Sequence, residues 1–311
     1  MPPLRLSAVI PVYNRAAVIG RALASIRRQT CQPDEVIVVD DGSTDDLEAA
    51  LQPFTDLPLR LIRQTNGGAA AARNTGMACA SGDTVAFLDS DDIWLPEKTA
   101  RQLAWLERAP PGVLAVTTGF AMAEEGRWIE GAAFDDIRIP SDRNRPTDHL
   151  WICDVSPGTT LMLRRSTWDL VGPLDTGFQR LEDWDWLIRL GRQGSLGVVP
   201  DVLAVVFRST PPGINAVRTA GAMMWKRHAV ALDHAGRRRL RAALDLENAA
   251  ALRSAGQSVP ATAALLRATL GWPGRLLPLL LRRIVGRLGL IVTNSFRVWV
   301  FRLTGRGRDT N

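Results

Sequence analysis

Short apolar runs and amphipathic segments alternate along the N-terminal part of the chain. Four short runs predict strands, at residues 6–10, 35–39, 57–63 and 84–88, and the apolar or β-branched character of the first and the last predicts that these two are buried. The segments between them have helical periodicity and predict helices, at residues 17–29, in a short stretch that ends at residue 51, and at residues 69–78. This alternation predicts an α/β fold with a doubly wound, mostly parallel sheet, in which ligands bind at the carboxyl ends of the strands.

The later part of the chain divides into three kinds of segment. The alternation continues with four more elements, a helix at 98–108, a strand at 113–118, a strand at 159–163 and a helix at 181–190. Residues 124–151 lack periodicity, so we expect an irregular segment that binds substrate or acts as a lid. Helices are predicted at 220–234, 237–254, 261–270 and 276–303. The predicted organisation is an α/β domain over residues 1–215 and a basic, apolar helical region over residues 216–311.

Composition narrows the class of protein. The 311 residues are 46% hydrophobic and 23% charged, which is typical of globular proteins. Cys31, Cys79 and Cys153 are far apart and form no C-x-x-C pair, so we expect reduced thiols in the cytoplasm. The first apolar run is too short for a signal peptide or a membrane span. His228 and His234 are six residues apart on a predicted helix, a spacing that favours surface histidines over metal ligands.

Charge is distributed unevenly along the chain. Residues 221–311 carry 16 Lys and Arg against 4 Asp and Glu, a net charge of +12, whereas the whole chain carries +6 and residues 1–220 therefore carry −6. Arginines interrupt the apolar run at 276–303, which favours an amphipathic helix on the anionic inner face of the membrane over a transmembrane span. Packing on the α/β domain or on a second subunit is equally open. No recognition motif accompanies the basic residues, so we predict no binding to nucleic acid.

Acidic residues follow two of the predicted strands. Asp40 and Asp41 lie at the carboxyl end of the second strand, where ligands bind in an open parallel sheet. Asp89 and Asp91 follow the fourth strand and are two residues apart, so in extended backbone they project to the same side and could share one hard cation. The alternative is a solvated turn whose acids cap the helix that opens near Pro96.

Other polar groups have competing interpretations. Ser43 or Thr44 is predicted to cap the helix that ends at residue 51, with Asp45 and Asp46 compensating its dipole. The Gly67-Gly68 pair is either a plain turn or a flexible loop over a nucleotide. The acids at 182, 183 and 185 open a predicted helix, where they compensate its dipole, pair with arginine or take part in chemistry.

Four motifs in order resemble those of the inverting family-2 glycosyltransferases, which have the Rossmann-like GT-A fold. They are VIPVYNR at 9–15, VDDGSTD at 39–45, NGG at 66–68 through ARNTG at 72–76 with FLDSDD at 87–92, and EDWD at 182–185. The resemblance covers roughly residues 5–210. It implies a transferase that moves a sugar from a nucleotide-diphosphate donor, with UDP favoured, to a hydroxyl of a glycan or lipid-linked acceptor with inversion. Such reactions belong to polysaccharide or glycoconjugate biosynthesis.

The resemblance also implies roles for individual residues. Those expected to hold the nucleotide base and ribose are Pro11, Tyr13 and Asp40 or Asp41, and Arg73 is expected to face the diphosphate. Asp91 would bind Mg²⁺ or Mn²⁺ that bridges the phosphates, with Asp89 near the ribose or a metal-bound water. Asp183 would be the base that deprotonates the acceptor, while Glu182 and Trp184 shape the acceptor and sugar pocket.

Two other functions fit the sequence less well. A sugar nucleotidyltransferase would need a glycine-rich, basic phosphate loop after the first strand, where this chain has Pro11, Val12, Tyr13 and Asn14. A non-catalytic scaffold that binds nucleotide sugars at the membrane surface is the main alternative. The presence of Asp89, Asp91 and Asp183 argues against it. The predicted location is the cytoplasm, with peripheral attachment to the inner face of the membrane as an open alternative.

Overall fold

The computed structural model describes residues 4–123, 136–138, 155–207 and 213–274. Within these ranges the strands are β1 (Leu6–Val12), β2 (Glu35–Asp40), β3 (Leu59–Arg63), β4 (Thr84–Phe87), β5 (Ile93–Trp94), β6 (Val113–Ala123), β7 (Asp136–Arg138), β8 (Met162–Arg164) and β9 (Ser195–Phe207). The helices are α1 (Ala16–Arg27), α2 (Leu47–Leu51), α3 (Ala69–Cys79), α4 (Lys98–Glu107), α5 (Pro157–Thr160), α6 (Arg165–Val171), α7 (Glu182–Gln193), α8 (Ile214–His228), α9 (His234–Ser254) and α10 (Ser258–Gly271). Nearly all of the predicted irregular segment, Cys153 and the last predicted helix lie outside the described residues.

The described strands form one mixed sheet in the order β3-β2-β1-β4-β8-β6-β9-β5, with β7 paired to β6. The four N-terminal strands pair in parallel, as their sequence pattern predicts. Strand β8 enters antiparallel between β4 and β6. All residues of β1 and β4 are buried, because helices cover both faces of a parallel sheet. The carboxyl ends of β1, β2 and β4 therefore meet at one edge.

One strand begins later than predicted, and another was not predicted. The strand predicted at 159–163 begins only at Met162, because residues Pro157–Thr160 form the short helix α5. Proline suits the first turn of a helix, because an N–H group there would have no acceptor within the helix. The sequence pattern also missed β9, a strand of 13 residues that contains Pro200. The pairing of β9 with β6 shifts register between Thr118 and Gly119, opposite Pro200. This β-bulge interrupts the apolar run of β9.

The C-terminal helices pack onto the α/β part of the chain. Ala220 and Met224 of α8 and Leu240 of α9 belong to the same buried cluster as Trp186 and Leu187 of α7. Helices α9 and α10 then share a smaller apolar cluster of their own. Among the described residues, no helix is both long enough and apolar enough to cross a membrane. The predicted helical region is thus joined to the sheet through α7.

Candidate active site

The loop after β1 presents an aromatic ring to solvent. Pro11 is buried near the end of β1, whereas the side chain of Tyr13 is 48% exposed. Asn14 has a φ of 51°, which is unusual outside glycine and is tolerated best by asparagine and aspartate. Its side-chain oxygen accepts a hydrogen bond from the Thr44 backbone N–H at 2.8 Å. The β1 loop is thereby held to the loop after β2, with the Tyr13 ring left open to a ligand.

Asp40 and Asp41 are both buried at the carboxyl end of β2. Asp40 accepts a hydrogen bond from the Ser43 backbone N–H at 2.8 Å, and its second oxygen lies 3.4 Å from the Nε of Arg63. Asp41 accepts from the backbone N–H groups of Gly67 and Gly68 at 2.9 and 2.8 Å. Asp41 therefore fixes the glycine loop, in addition to lying where a nucleotide base was predicted.

The predicted cap of α2 is wrong. Asp46, and neither Ser43 nor Thr44, caps α2 by accepting from the Ala49 N–H at 3.1 Å. Asp45 accepts from the Ala16 N–H at 2.7 Å, so it caps α1, which belongs to a different part of the chain. Each of these carboxylates satisfies an N–H that has no partner within its own helix.

Arg73 connects two motifs that are far apart in the sequence. The guanidinium is buried on α3 and donates to Asp89 Oδ1 at 2.6 Å and to Glu182 Oε1 at 3.0 Å. Burial alone lowers the pKa of Arg73, but the negative charges of Asp89 and Glu182 outweigh it and raise that pKa. Arg73 thus stays charged and holds the two carboxylates at one site.

The acidic loop after β4 is a turn rather than extended backbone. Residues 90 and 91 form the turn, and the Asp92 N–H donates to the Asp89 carbonyl at 3.0 Å, so the predicted same-side projection from a strand is wrong. Arg21 of α1 donates twice to the Asp91 carbonyl, at 2.9 and 2.5 Å. The Asp91 carboxylate is half-buried, and burial followed by the nearby charge of Asp89 raises its pKa. The turn still places two carboxylates at the sheet edge.

Asp92 has a separate, structural role. It is buried, accepts from the Phe207 N–H at 2.9 Å and accepts from the Thr159 hydroxyl. Burial, with the charges of Asp89 and Asp91, raises its pKa well above the usual range. Asp92 ties the loop to β9 and α5, a role that its place in the acidic motif does not reveal.

Asp183 lies at the start of α7 and lines a cleft next to Arg73. Other lining residues are Phe87, Pro157, Gly158, Leu161, Trp168, Leu174 and Trp186. Burial and the charge of Glu182 raise the pKa of Asp183 to about 7, against the opposing effect of Arg73. Its Oδ1 accepts from the Trp184 backbone N–H at 2.8 Å, and the Trp184 side chain is buried. A carboxylate with such a pKa can accept a proton near neutral pH.

Gly158 is a site residue that the sequence analysis missed. A Cβ atom at this position would lie 2.3 Å from Asp89 Oδ2 and 2.7 Å from Arg73 Nη2. Only glycine leaves room for the ion pair against α5. No sequence motif marks this glycine, since the close contact arises from segments far apart in the chain.

The histidine prediction is half wrong. His234 is exposed as expected, but His228 is fully buried, with Nε2 at 2.9 Å from Asp185 Oδ1. Within the described ranges, no group of three or more His, Cys, Asp or Glu side chains is placed to hold a metal ion.

A family model decides the class of this protein. The model for glycosyl transferase family 2 matches residues 7–171, which is more than half of the chain. The chain belongs to glycosyl transferase family 2. The predicted resemblance is confirmed. The matched residues contain the first three sequence motifs of this family-2 glycosyltransferase, and the EDWD motif follows shortly after them.

One curated relative and two solved structures illustrate the similarity. A PGL/p-HBAD biosynthesis glycosyltransferase of Mycobacterium tuberculosis is 35% identical over 187 residues, which are 59% of this chain and 68% of the relative. A fragment of S. aureus TarS in complex with UDP matches with a TM-score of 0.55 and 18% identity, over 85% of this chain and 89% of the fragment. The match spans only 43% of a longer TarS chain.

The second solved structure is the mannosyltransferase PcManGT of Pyrobaculum calidifontis in complex with GDP-Man and Mn²⁺. It matches with a TM-score of 0.54 and 23% identity, over 95% of this chain and 83% of the mannosyltransferase. At these identities the structures establish the fold of the family-2 glycosyltransferase. The prediction of a GT-A fold followed by a helical region is confirmed.

The sheet edge gathers most of the predicted site residues of this glycosyltransferase. Arg73, Asp89, Glu182 and Asp183 form one group around the cleft. Asp40 is the last residue of β2, and Tyr13, Asp41 and Asp91 lie in the loops that follow β1, β2 and β4. Because β1 pairs in parallel with both β2 and β4, these loops leave the sheet on the same side.

Proposed function

We propose that this glycosyltransferase moves a sugar from a nucleotide-diphosphate donor, with a UDP-sugar favoured, to a hydroxyl of a glycan or lipid-linked acceptor with inversion at the anomeric carbon. The observation that carries the proposal is the double contact of Arg73, at 2.6 Å to Asp89 and 3.0 Å to Glu182. It brings the acidic motif expected to face the donor next to the motif expected to face the acceptor. A single site can therefore bind both substrates.

The donor half of the site comprises Tyr13, Asp40, Asp41 and Arg73, with Pro11 supporting the loop. The exposed ring of Tyr13 offers a face on which a nucleotide base can stack. A nucleotide-sugar donor is supported by the ligands in related structures, namely UDP and UDP-GlcNAc with TarS and GDP-Man with PcManGT. These ligands differ in both base and sugar, so a panel of donors is needed.

Mg²⁺ or Mn²⁺ fits the residues at the acidic loop. Asp89 and Asp91 supply the hard oxygen ligands that these cations prefer, and phosphate oxygens of the donor would complete the shell. The raised pKa of Asp91, which arises from burial and from repulsion by Asp89, indicates a site where added positive charge is favourable. When bound, the cation supplies positive charge that stabilises the departing nucleoside diphosphate.

Asp183 is the proposed general base. As the acceptor oxygen attacks the anomeric carbon, the hydroxyl proton passes to the Asp183 carboxylate and the bond from that carbon to the diphosphate breaks. Inversion needs only one such carboxylate on the acceptor side. Glu182 keeps the charge of Arg73 close to Asp183, and Trp184 buries its indole beside the same turn. Glu182 and Trp184 thereby shape the acceptor side.

The organisation of the chain is part of the proposal. We assign residues 1–215 to the transferase domain and residues 216–311 to a helical region that places the enzyme at the cytoplasmic face of the membrane. The described part of that region, residues 216–274, contains nine Lys and Arg and three Asp and Glu. A basic region of this kind suits an anionic lipid surface that carries a lipid-linked acceptor.

Donor binding and turnover test this function directly. Purified protein is titrated with UDP-glucose, UDP-GlcNAc and GDP-Man in Mn²⁺, in Mg²⁺ and in chelator, and release of nucleoside diphosphate is measured. We expect metal-dependent binding and slow hydrolysis of one donor, with binding lost in Asp91→Ala. The matched control is Asp169→Ala, an exposed aspartate on α6. Binding without turnover, even with glycan acceptors added, would favour the scaffold, and no binding at all would refute the nucleotide site.

A further inference from the structure

Asp185 occupies the most enclosed position among the acids of α7. Its carboxylate is fully buried and accepts from Arg189 Nε at 2.9 Å, from Arg227 Nη1 at 3.0 Å and from His228 Nε2 at 2.9 Å. We name these four residues the Asp185 cluster. Burial alone raises the pKa of Asp185, but these hydrogen bonds and charges outweigh it and lower the pKa to about 2. The carboxylate is ionised whenever the protein is folded near neutral pH.

The hydrogen bonds of His228 show which ring nitrogen carries the proton. Arg192 Nη2 lies 3.0 Å from His228 Nδ1, and an arginine can only donate. Nδ1 is therefore the acceptor, and the ring proton that faces Asp185 is on Nε2. The imidazole of His228, on α8, accepts a hydrogen bond from Arg192 and donates one to Asp185, and both of these residues are on α7. This arrangement fixes the end of α8 against the helix that carries Asp183.

The same cluster braces the loop that leads into α7. Arg189 donates to the carbonyls of Val171 and Pro173 at 2.6 and 2.7 Å, and Arg227 donates to Asp175 at 2.5 Å. The loop ends at Leu181, which has a φ of 66° although it is not glycine. Such backbone is held only where the surroundings determine it. Leu181 directly precedes Glu182 and Asp183, so the brace acts on the turn that carries the proposed base.

We propose that Arg227 and His228 of α8 are positioning residues for the transfer reaction, acting through Asp185 to set the place of the Asp183 carboxylate. This inference rests on the proposed function, in which Asp183 is the base. It makes the start of the C-terminal helical region part of the catalytic unit. It also explains why a buried, fully partnered aspartate lies two residues beyond the base in the same helical turn.

The test uses the full-length protein and three substitutions. His228→Ala removes one donor to Asp185. Arg227→Gln, at a position that is partly exposed, removes another, because a glutamine amide ends two bonds short of the arginine Nη1 atom that donates to Asp185. His228→Gln keeps an amide donor with a reach similar to that of Nε2. His234→Ala, at an exposed histidine on α9, is the matched control. We expect His228→Ala and Arg227→Gln to lower kcat for donor hydrolysis about ten-fold, because small displacements of a reacting group are costly. The donor KM and the number of donor-binding sites should stay unchanged, and His228→Gln should recover most of the rate.

Hydrogen exchange of ligand-free protein supplies a readout that is independent of activity. Amides of residues 181–186 should exchange faster in His228→Ala than in the parent protein, and those of β1 should not change. Unchanged exchange at 181–186, or faster exchange with an unchanged kcat, would overturn the positioning role. If the parent protein turns over no donor, the proposed function fails, and the exchange measurement still decides whether α8 braces this turn.

Discussion

Single residues set the chemistry of this site through charge and close packing. Arg73 forms hydrogen-bonded ion pairs with Asp89 and Glu182, whereas Asp183 has its pKa raised to about 7 by burial and by the charge of Glu182. Asp183 and Asp185, two residues apart on α7, thus differ in their readiness to accept a proton, since the pKa of Asp185 is lowered to about 2 by its hydrogen bonds and neighbouring arginines. A lysine would not be equivalent to Arg73, because two nitrogen atoms of the planar guanidinium, Nη1 and Nη2, each donate to a different carboxylate.

With Asp183 as the proposed base, its pKa predicts the pH dependence of the reaction. A base must be ionised, so kcat/KM for donor hydrolysis should fall about ten-fold per pH unit below pH 7 and level off above it. Asp183→Asn should lower kcat by about a hundred-fold to ten-thousand-fold, with donor affinity retained and the acidic limb abolished. Rates measured across pH 5 to 9 in the two proteins check this, and a full rate in Asp183→Asn would rule out the base.

Gly158 is predicted to tolerate no side chain. In Gly158→Ala the new Cβ would overlap the Asp89–Arg73 ion pair at 2.3 to 2.7 Å, so either the pair or α5 must shift. We expect a loss of about 1–3 kcal/mol in the free energy of unfolding, as for other overpacked sites, together with weaker turnover. Gly213→Ala is the control, since no atom lies within 4 Å of its added Cβ. Equal denaturation midpoints for the two variants would contradict the prediction.

At the scale of elements, the loop after β2 caps the helix that follows the neighbouring strand β1. Asp45 follows β2 yet caps α1, so Asp45→Ala should lower the free energy of unfolding by about 1 kcal/mol. Asp45→Asn should retain most of that stability, because asparagine caps helices nearly as well as aspartate. Chemical denaturation of both variants measures the difference. Similar losses in the two would indicate that charge, rather than the capping hydrogen bond, is what matters.

Local pattern predicts elements whose neighbours in sequence are also neighbours in space. Strands β1, β2 and β4 are mostly apolar runs, and their alternation with helices predicts the parallel pairing that the sheet has. Local pattern predicts a strand from Thr159 because Thr159 and Thr160 suit a strand, whereas residues 157–160 form α5 and pack Gly158 against Asp89. Strand β9 was not predicted because it contains Pro200. A proline argues against a strand unless a bulge accommodates it, and the bulge is visible only in the pairing with β6.

At the scale of the whole molecule, motifs predict which residues gather but not how they are paired. The acids of the site were readable from the four motifs. Their partners were not, because Arg73 lies 109 residues from Glu182, and His228 lies 43 residues from Asp185. Contacts between residues so far apart in the sequence depend on how the helices pack across the sheet. The link between α7 and α8 in particular has no counterpart in local sequence.

The charge distribution predicts how the whole molecule meets a membrane. Residues 221–311 carry +12, and α10 exposes Val259, Leu266 and Leu270 by 81%, 57% and 74%. We expect co-sedimentation with phosphatidylcholine vesicles that contain phosphatidylglycerol, and several-fold weaker binding when salt shortens the Debye length below about 8 Å. Neutral vesicles are the lipid control. Leu266→Ser with Leu270→Ser should weaken binding without changing its salt dependence, because apolar burial and charge attraction are separate contributions. Equal recovery with neutral and anionic vesicles would exclude electrostatic attachment, and no recovery with either would favour packing of this region on protein.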